Sequence, residues 1–171
     1  MNGIPSKINM FNVYKDGNTL AGLSGEVTLP DFEAISETIS GPGILGEIDD
    51  PTIGHFGSQE IEIPFRNITN DTFTLMNPGD EVNLTLRGSI QVNTNGGGVD
   101  YVGMRVIFRG KCKSFTGGTV KQGAAMASAI KLELTYIRID LNGEAKVELD
   151  KLNSVYKLNG VDILEKARSL C

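Results

Sequence analysis

A mainly β fold, an antiparallel β-sandwich or barrel with one short flanking helix and a C-terminal helix, is what this sequence predicts. Three observations lead there. Apolar and polar residues alternate with period two over long stretches. Asn-Gly and glycine-rich turns separate those stretches. Only two segments carry helical signals.

The elements follow in order. Strands are expected around 8–14, 20–29, 32–39 and 59–66, with Asp16-Gly17 as the first tight turn. A long loop should extend over about 40–57. "TNDTFTLMNPG" reads as a short helix, with Thr69 and Asn70 as capping candidates and Pro78-Gly79 as its stop. In "EVNLTLRGSIQVNT", Val82, Leu84, Leu86, Ile90 and Val92 share one face, and Asn83, Thr85, Arg87, Ser89, Gln91 and Asn93 the other. That is a strand with one buried and one solvated side. The turn Asn95-Gly-Gly-Gly98 leads into "VDYVGMRVIFRGKCKSF", where Val102, Met104, Val106 and Phe108 point in and Tyr101, Arg105, Arg109, Lys111 and Lys113 point out. A further hairpin crosses Asn142-Gly143. Its apolar phase changes near Tyr136, from Ile130, Leu132 and Leu134 to Ile137, Ile139 and Leu141, which predicts a bulge or a strand passing between two packed sheets. Val161, Ile163, Leu164, Ala167 and Leu170 fall on one side of a helix expected over about 161–170. No composition break or internal repeat marks a second domain, so residues 1–171 are read as one.

Composition narrows the function. With 40% hydrophobic and 22% charged residues, the chain has the material for a packed core. Sixteen basic against twenty-one acidic residues give a net charge of −5, the wrong sign for a dedicated nucleic-acid binder. No apolar run reaches the ~20 residues needed to cross a bilayer, so no stable membrane insertion is expected. The opening residues lack the apolar stretch of a signal peptide, and the protein is expected to stay where it is made. Cys112 and Cys171 read as free thiols.

Little in the sequence supports catalysis, and no cofactor or metal is expected. Gly41-Pro-Gly-Ile-Leu-Gly46 matches the spacing G-x-G-x-x-G, which binds a phosphate only where a helix starts on the last glycine. Here Gly46 leads into Glu47, Ile48, Asp49, Asp50 and Pro51, whose carboxylates would repel a phosphate. His55 is the only histidine, so a zinc site of three or four N/S ligands cannot be assembled with two distant cysteines. No D-x-D-x-D-G loop surrounds Asp49-Asp50, which reads as a solvated acidic turn. No feature selects a glycosidase pair from the carboxylates, and there is no Trp to stack on a sugar.

Charge is segregated. Residues 24–62 hold nine acids and no Lys or Arg, whereas 104–121 hold Arg105, Arg109, Lys111, Lys113 and Lys121 and no acid. Either the two segments neighbour each other in one subunit, or an acidic edge of one copy meets a basic edge of the next. Long strands also leave edges, which ordered self-association would pair.

The order of several motifs carries a family resemblance. They are "INMFNVYKDGNTLAG", "VTLP" at 27–30, "GPGILG", Arg109-Gly110, Lys121-Gln122-Gly123, Tyr136–Arg138 and Asn159–Asp162. Together they span essentially the whole chain, which resembles the major tail tube proteins of contractile-tailed bacteriophages and of phage-tail-like bacteriocins. "AAMASAIK" at 124–131 departs from that pattern. The resemblance implies a tail-tube fold and a homo-hexameric ring whose inner strands join into one barrel. Rings would stack as a hollow tube inside a contractile sheath, with baseplate and tail-terminator partners and DNA only as passing cargo. The product would be a structural part of a virion or bacteriocin particle, assembled in the bacterial cytoplasm.

Within that picture, Gly41, Pro42, Gly43, Ile44, Leu45, Gly46, Asp49 and Asp50 form a contact loop to another subunit or ring. The basic segment is its complement, and Asn83, Thr85, Arg87 and Gln91 form the polar face of the barrel wall, turned to the channel or to the sheath. Two other readings are the tube protein of a type VI secretion system and a soluble ligand-binding β-sandwich.

Overall fold

The computed structural model describes residues 3–23 and 25–171. Four long strands, β1 (Gly3–Lys15), β6 (Val82–Thr94), β7 (Val99–Thr116) and β8 (Ser128–Leu141), carry the architecture. Between β1 and β6 come β2 (Asn18–Thr19), β3 (Ala34–Ser40), β4 (Glu47–Phe56), β5 (Glu60–Phe65) and α1 (Asn70–Leu75). After β8 follow β9 (Glu144–Asp150), β10 (Val155–Leu158), β11 (Val161–Asp162) and α2 (Glu165–Ser169). Every pairing is antiparallel, in the order β11-β10-β9-β8-β7-β6-β1-β2, with β5 added to β8 and with β3 and β4 forming a separate pair.

The turns are set by residues that accept positive φ. Asn142 and Gly143 sit at +52° and +83°, and Asn159 and Gly160 at +52° and +80°. These are the left-handed pairs that two-residue hairpins require. The expected bulge near Tyr136 is present. Gly110 pairs with Leu134 and Arg109 with Tyr136, so Thr135 is the extra residue. It lets Leu134 and Ile137 both point into the core, each 1% exposed.

The bulge also divides β8 between two partners. Its first half lies between β7 and β5, its second between β7 and β9. Because β5 is bridged in turn to Leu23 and Thr28, and Leu20 N–H donates to the Val13 carbonyl at 2.8 Å, the sheet curls back towards β1. The core fills this curl with Val13, Ile61, Ile63, Phe65, Leu84, Leu86, Val106, Phe108, Ile130 and Leu132. Each such side chain is worth about 1.5–3 kcal/mol of burial. The α1 helix adds Leu75 to the same core; its first turn is fastened where Thr69 N–H donates to Thr72 Oγ1 at 3.2 Å.

Three expectations need correction. Residues 20–29 form no continuous strand, only bridges at Leu23 and Thr28 (Ser24 lies outside the described residues). Segment 40–57 is not a long loop: 47–56 is strand β4, and only 41–46 is a turn. The C-terminal helix is confined to Glu165–Ser169, because the Asn159-Gly160 turn folds Val161 back onto Leu158 as strand β11.

Candidate functional site

Two surfaces stand out, and both are built from strand alternation. The first is the β3–β4 hairpin, which is hydrogen-bonded to itself and not to the main sheet. Cross-strand pairing puts Glu37 opposite Asp50 and Ile39 opposite Ile48 on one face, and Thr38 opposite Asp49 and Ser40 opposite Glu47 on the other. Asp49 and Asp50 therefore point to opposite sides. Ile35, Ile39, Ile48 and Ile53 are exposed, and Leu45 at the tip has no cover at all. No acid of this hairpin makes an ion pair among the described residues. An isolated two-stranded hairpin is marginally stable in water, so this one presents apolar and anionic groups that the rest of the chain leaves unmatched.

At its tip, Ile44 N–H donates to the Gly41 carbonyl at 3.1 Å, with Pro42 between them. Gly43 and Gly46 take φ of +91° and +94° in open space. Within the chain these glycines serve the turn's conformation and not a close approach.

The second surface is the face of the long sheet turned away from the core. Register places Asn83 opposite Arg109, Thr85 opposite Ile107, Arg87 opposite Arg105 and Gln91 opposite Tyr101. All four polar-face candidates thus share one side with Arg105 and Arg109. Two arginines directly opposed would repel, but each has its own partner. Arg87 lies over the Tyr14 ring, 5.6 Å from its centroid. Arg105 Nε donates to Asp140 Oδ2 at 2.9 Å, and Arg138 Nε donates to Asp140 Oδ1 at 2.8 Å. Arg109 stacks on Tyr136 at 4.0 Å.

Asp140 is the hub of this face and is 2% exposed. Burial pushes its carboxyl up, but hydrogen bonds from Arg105 and then Arg138 outweigh that and hold it below its ordinary value. Sequence reasoning did not single it out. The signal was the period-two run Tyr136, Arg138, Asp140 on the polar side of β8.

The basic segment does not act as one patch. Arg105 and Arg109 lie on the outer face. Lys113 is the bulged residue between Cys112 and Ser114 and reaches Glu60, with Glu133 at 3.7 Å. Glu60 and Glu133 are cross-strand neighbours, so Lys113 relieves a like-charge pair. Its hydrogen bond lowers the Glu60 pKa and raises that of Lys113. Here the acidic and basic segments meet inside one chain. Lys111 and Lys121 are exposed and make no ion pair among the described residues.

The sheet also ends in open edges. β1 pairs with β6 along its length, but on its other side only Tyr14 and Lys15 are covered, by β2. At the far side, β10 covers Val147–Asp150 of β9 and Asn159 N–H donates to the Lys146 carbonyl at 2.8 Å, leaving Glu144 and Ala145 uncovered. An unpaired edge as long as that of β1 is a template for another strand. Among the described residues, no group of three or more His, Cys, Asp or Glu side chains gathers to hold a metal ion, and no helix is long and apolar enough to cross a membrane.

The family model described as phage tail tube protein FII matches residues 5–170. The tail tube protein of Escherichia phage P2 is 30% identical over 172 residues, covering 96% of each chain. The major tail tube protein of Serratia phage KSP20 is 26% identical over 160 residues, covering 94% of this chain and 91% of its own. Among solved structures, the sheath/tube terminator of an extracellular contractile injection system, in its extended state, matches with a TM-score of 0.55 at 14% identity. That match covers 80% of this chain and 96% of the other, and it bears on the fold alone.

Proposed function

The chain belongs to the phage tail tube protein FII family, and on that premise we propose that its copies close into six-membered rings that stack as the hollow inner tube of a contractile tail. It is a structural tail tube protein and not an enzyme. The observation that carries the finer reading is the β3–β4 hairpin, whose isoleucines and carboxylates find no cover in their own chain. A second copy, in the same ring or the next, supplies that cover. The open edge of β1 and the exposed part of β9 support lateral pairing that continues the sheet from subunit to subunit.

The polar outer face then lines the channel. A channel that passes DNA must not hold it, since every phosphate captured by a free cation adds affinity through counterion release. The pairing of Arg105 and Arg138 with Asp140, and the stacking of Arg109 on Tyr136, support that role. Sheath, baseplate and terminator are the partners of such a tube. Sheath contraction drives it through the target envelope, and in a phage the DNA follows as passing cargo. The particle is put together in the bacterial cytoplasm.

Gly41–Gly46 with Asp49 and Asp50 is the contact element. Deleting residues 41–46 is expected to leave a folded monomer that forms no tubes. Negative-stain electron microscopy with sedimentation checks this, and tubes of normal appearance would overturn the contact role. Family membership and phage relatives favour this reading over a type VI secretion tube or a ligand-binding sandwich.

A further inference from the structure

The base of the hairpin packs against residues from the other end of the chain. Ala34 pairs with Phe56 and Ser36 with Pro51, so Ile35 alone faces the segment 52–55. This wide bulge separates the hairpin's base from its outer blade. A bulge of this kind bends and twists a strand locally, so whatever fixes it fixes the direction of the blade.

The C-terminal segment packs against it. Gly54, at φ +77°, lies so close to Leu164 that a Cβ there would sit 2.7 Å from Leu164 Cδ1. Phe56 is held edge-on between Phe32, at 5.4 Å between ring centroids, and Tyr156 of β10, at 5.3 Å. Beneath them, Gly57 N–H donates to the Glu33 carbonyl at 3.0 Å, and Lys151 Nζ donates to the Gly57 carbonyl at 3.2 Å. Burial pushes the Lys151 ammonium below its ordinary range, against the pull of Glu133. Gly54, Phe56, Leu149, Lys151 and Leu164 line one small cleft between the hairpin base and the β9–α2 segment.

We propose that this clamp, Phe56 between Phe32 and Tyr156 with Gly54 seated against Leu164, is the positioning element that sets the angle at which the hairpin leaves the body, and so decides whether it meets the next copy. The inference rests on the reading of the hairpin as the contact element. It makes Tyr156 and Leu164 residues of the assembly machinery although neither belongs to the hairpin. Edge-to-face aromatic pairs add attraction beyond the area they bury, enough to bias a hinge while leaving the fold of the body intact.

The test separates the clamp from the contact. Spin labels at Leu45→Cys and Asp71→Cys, in a Cys112→Ala/Cys171→Ala background, report the tip-to-body distance below the assembly concentration. The parent is expected to give one narrow distribution. Phe56→Ala and Tyr156→Ala should broaden it, Tyr156→Phe should keep it narrow, and all three should retain the parent's far-ultraviolet circular dichroism. In chains without the label substitutions, the critical concentration for tubes should rise about tenfold or more in the broadened variants, equivalent to about 1.4 kcal/mol per subunit added.

Gly54→Ala, which sets a methyl against Leu164 at a positive φ, should broaden the distance distribution and impair assembly while keeping the parent's circular dichroism. Should Phe56→Ala fail to fold, Leu164→Ala alone, at a half-buried residue, provides the same distance measurement. Distributions as narrow in Phe56→Ala and Tyr156→Ala as in the parent would overturn the clamp. Broadened distributions with an unchanged critical concentration would uphold the clamp as the orienting element, and would overturn the hairpin's part in assembly.

Discussion

In β5, Ile61, Ile63 and Phe65 are all 0% exposed; in the β3–β4 hairpin, Ile35, Ile39, Ile48 and Ile53 range from 40% to 63%. Both regions alternate apolar with polar residues, and both use isoleucine, a residue that suits a pleated surface. The difference lies in what faces them. β5 has β8 beside it and the β1–β6–β7 wall across the core, while the hairpin's strands pair only with each other and only its base, at Gly54 and Phe56, packs on the body. Strand patterning therefore specifies a surface that must be covered, and leaves open whether the cover comes from the same chain.

Four variants break or sharpen that contrast. The largest effect is expected inside the body. Phe108→Ala empties the centre of the core and should cost about 3–5 kcal/mol of monomer stability by urea titration. A loss under about 1 kcal/mol would show the body to be as loosely committed as the hairpin.

Next comes Asp140→Asn, which leaves two arginines without their shared carboxylate and should cost about 1–3 kcal/mol. The sign with pH follows from a depressed acid. The contribution is complete above the ordinary value of 3.8 and is lost as pH falls through the lower folded value. Parent and variant stabilities should therefore converge at the acid end, and a constant difference down to the lowest pH would remove Asp140 as the source.

Lys113→Ala exposes Glu60 to Glu133 and should lower the urea midpoint by less than Asp140→Asn does, with the deficit shrinking in high salt. The smallest effect on the monomer is expected in the hairpin. Ile39→Ser with Ile48→Ser should stay within about 0.5 kcal/mol of the parent while abolishing assembly. A large loss of monomer stability from that pair would erase the contrast between the two regions.

Much of the body was legible because its signals are local. Asn142-Gly143 announced its hairpin, and the shift from Leu134 to Ile137 announced the bulge at Thr135. Strand β4 was hidden by Asp49-Asp50-Pro51, residues that sheets disfavour. A two-stranded pair has only edges, so it tolerates them. Helix spacing over 161–170 misled because Val161 pairs with Leu158 through a turn whose Asn-Gly signature outweighs the periodicity. On the candidate surfaces, the shared face of Asn83, Thr85, Arg87 and Gln91 followed from period two alone. Asp140 could have been found by extending the same count along β8. The stack of Phe32, Phe56 and Tyr156 could not, since no local pattern links rings so distant in the chain.

The length of β7 has a mechanical consequence. Its 18 residues run for about 60 Å, flanked by β6 over Val99–Gly110 and by β8 over Met104–Thr116. A tug along this strand must shear both ladders together, whereas a tug across it peels one rung after another. The molecule is stiff in one direction and yielding in the other.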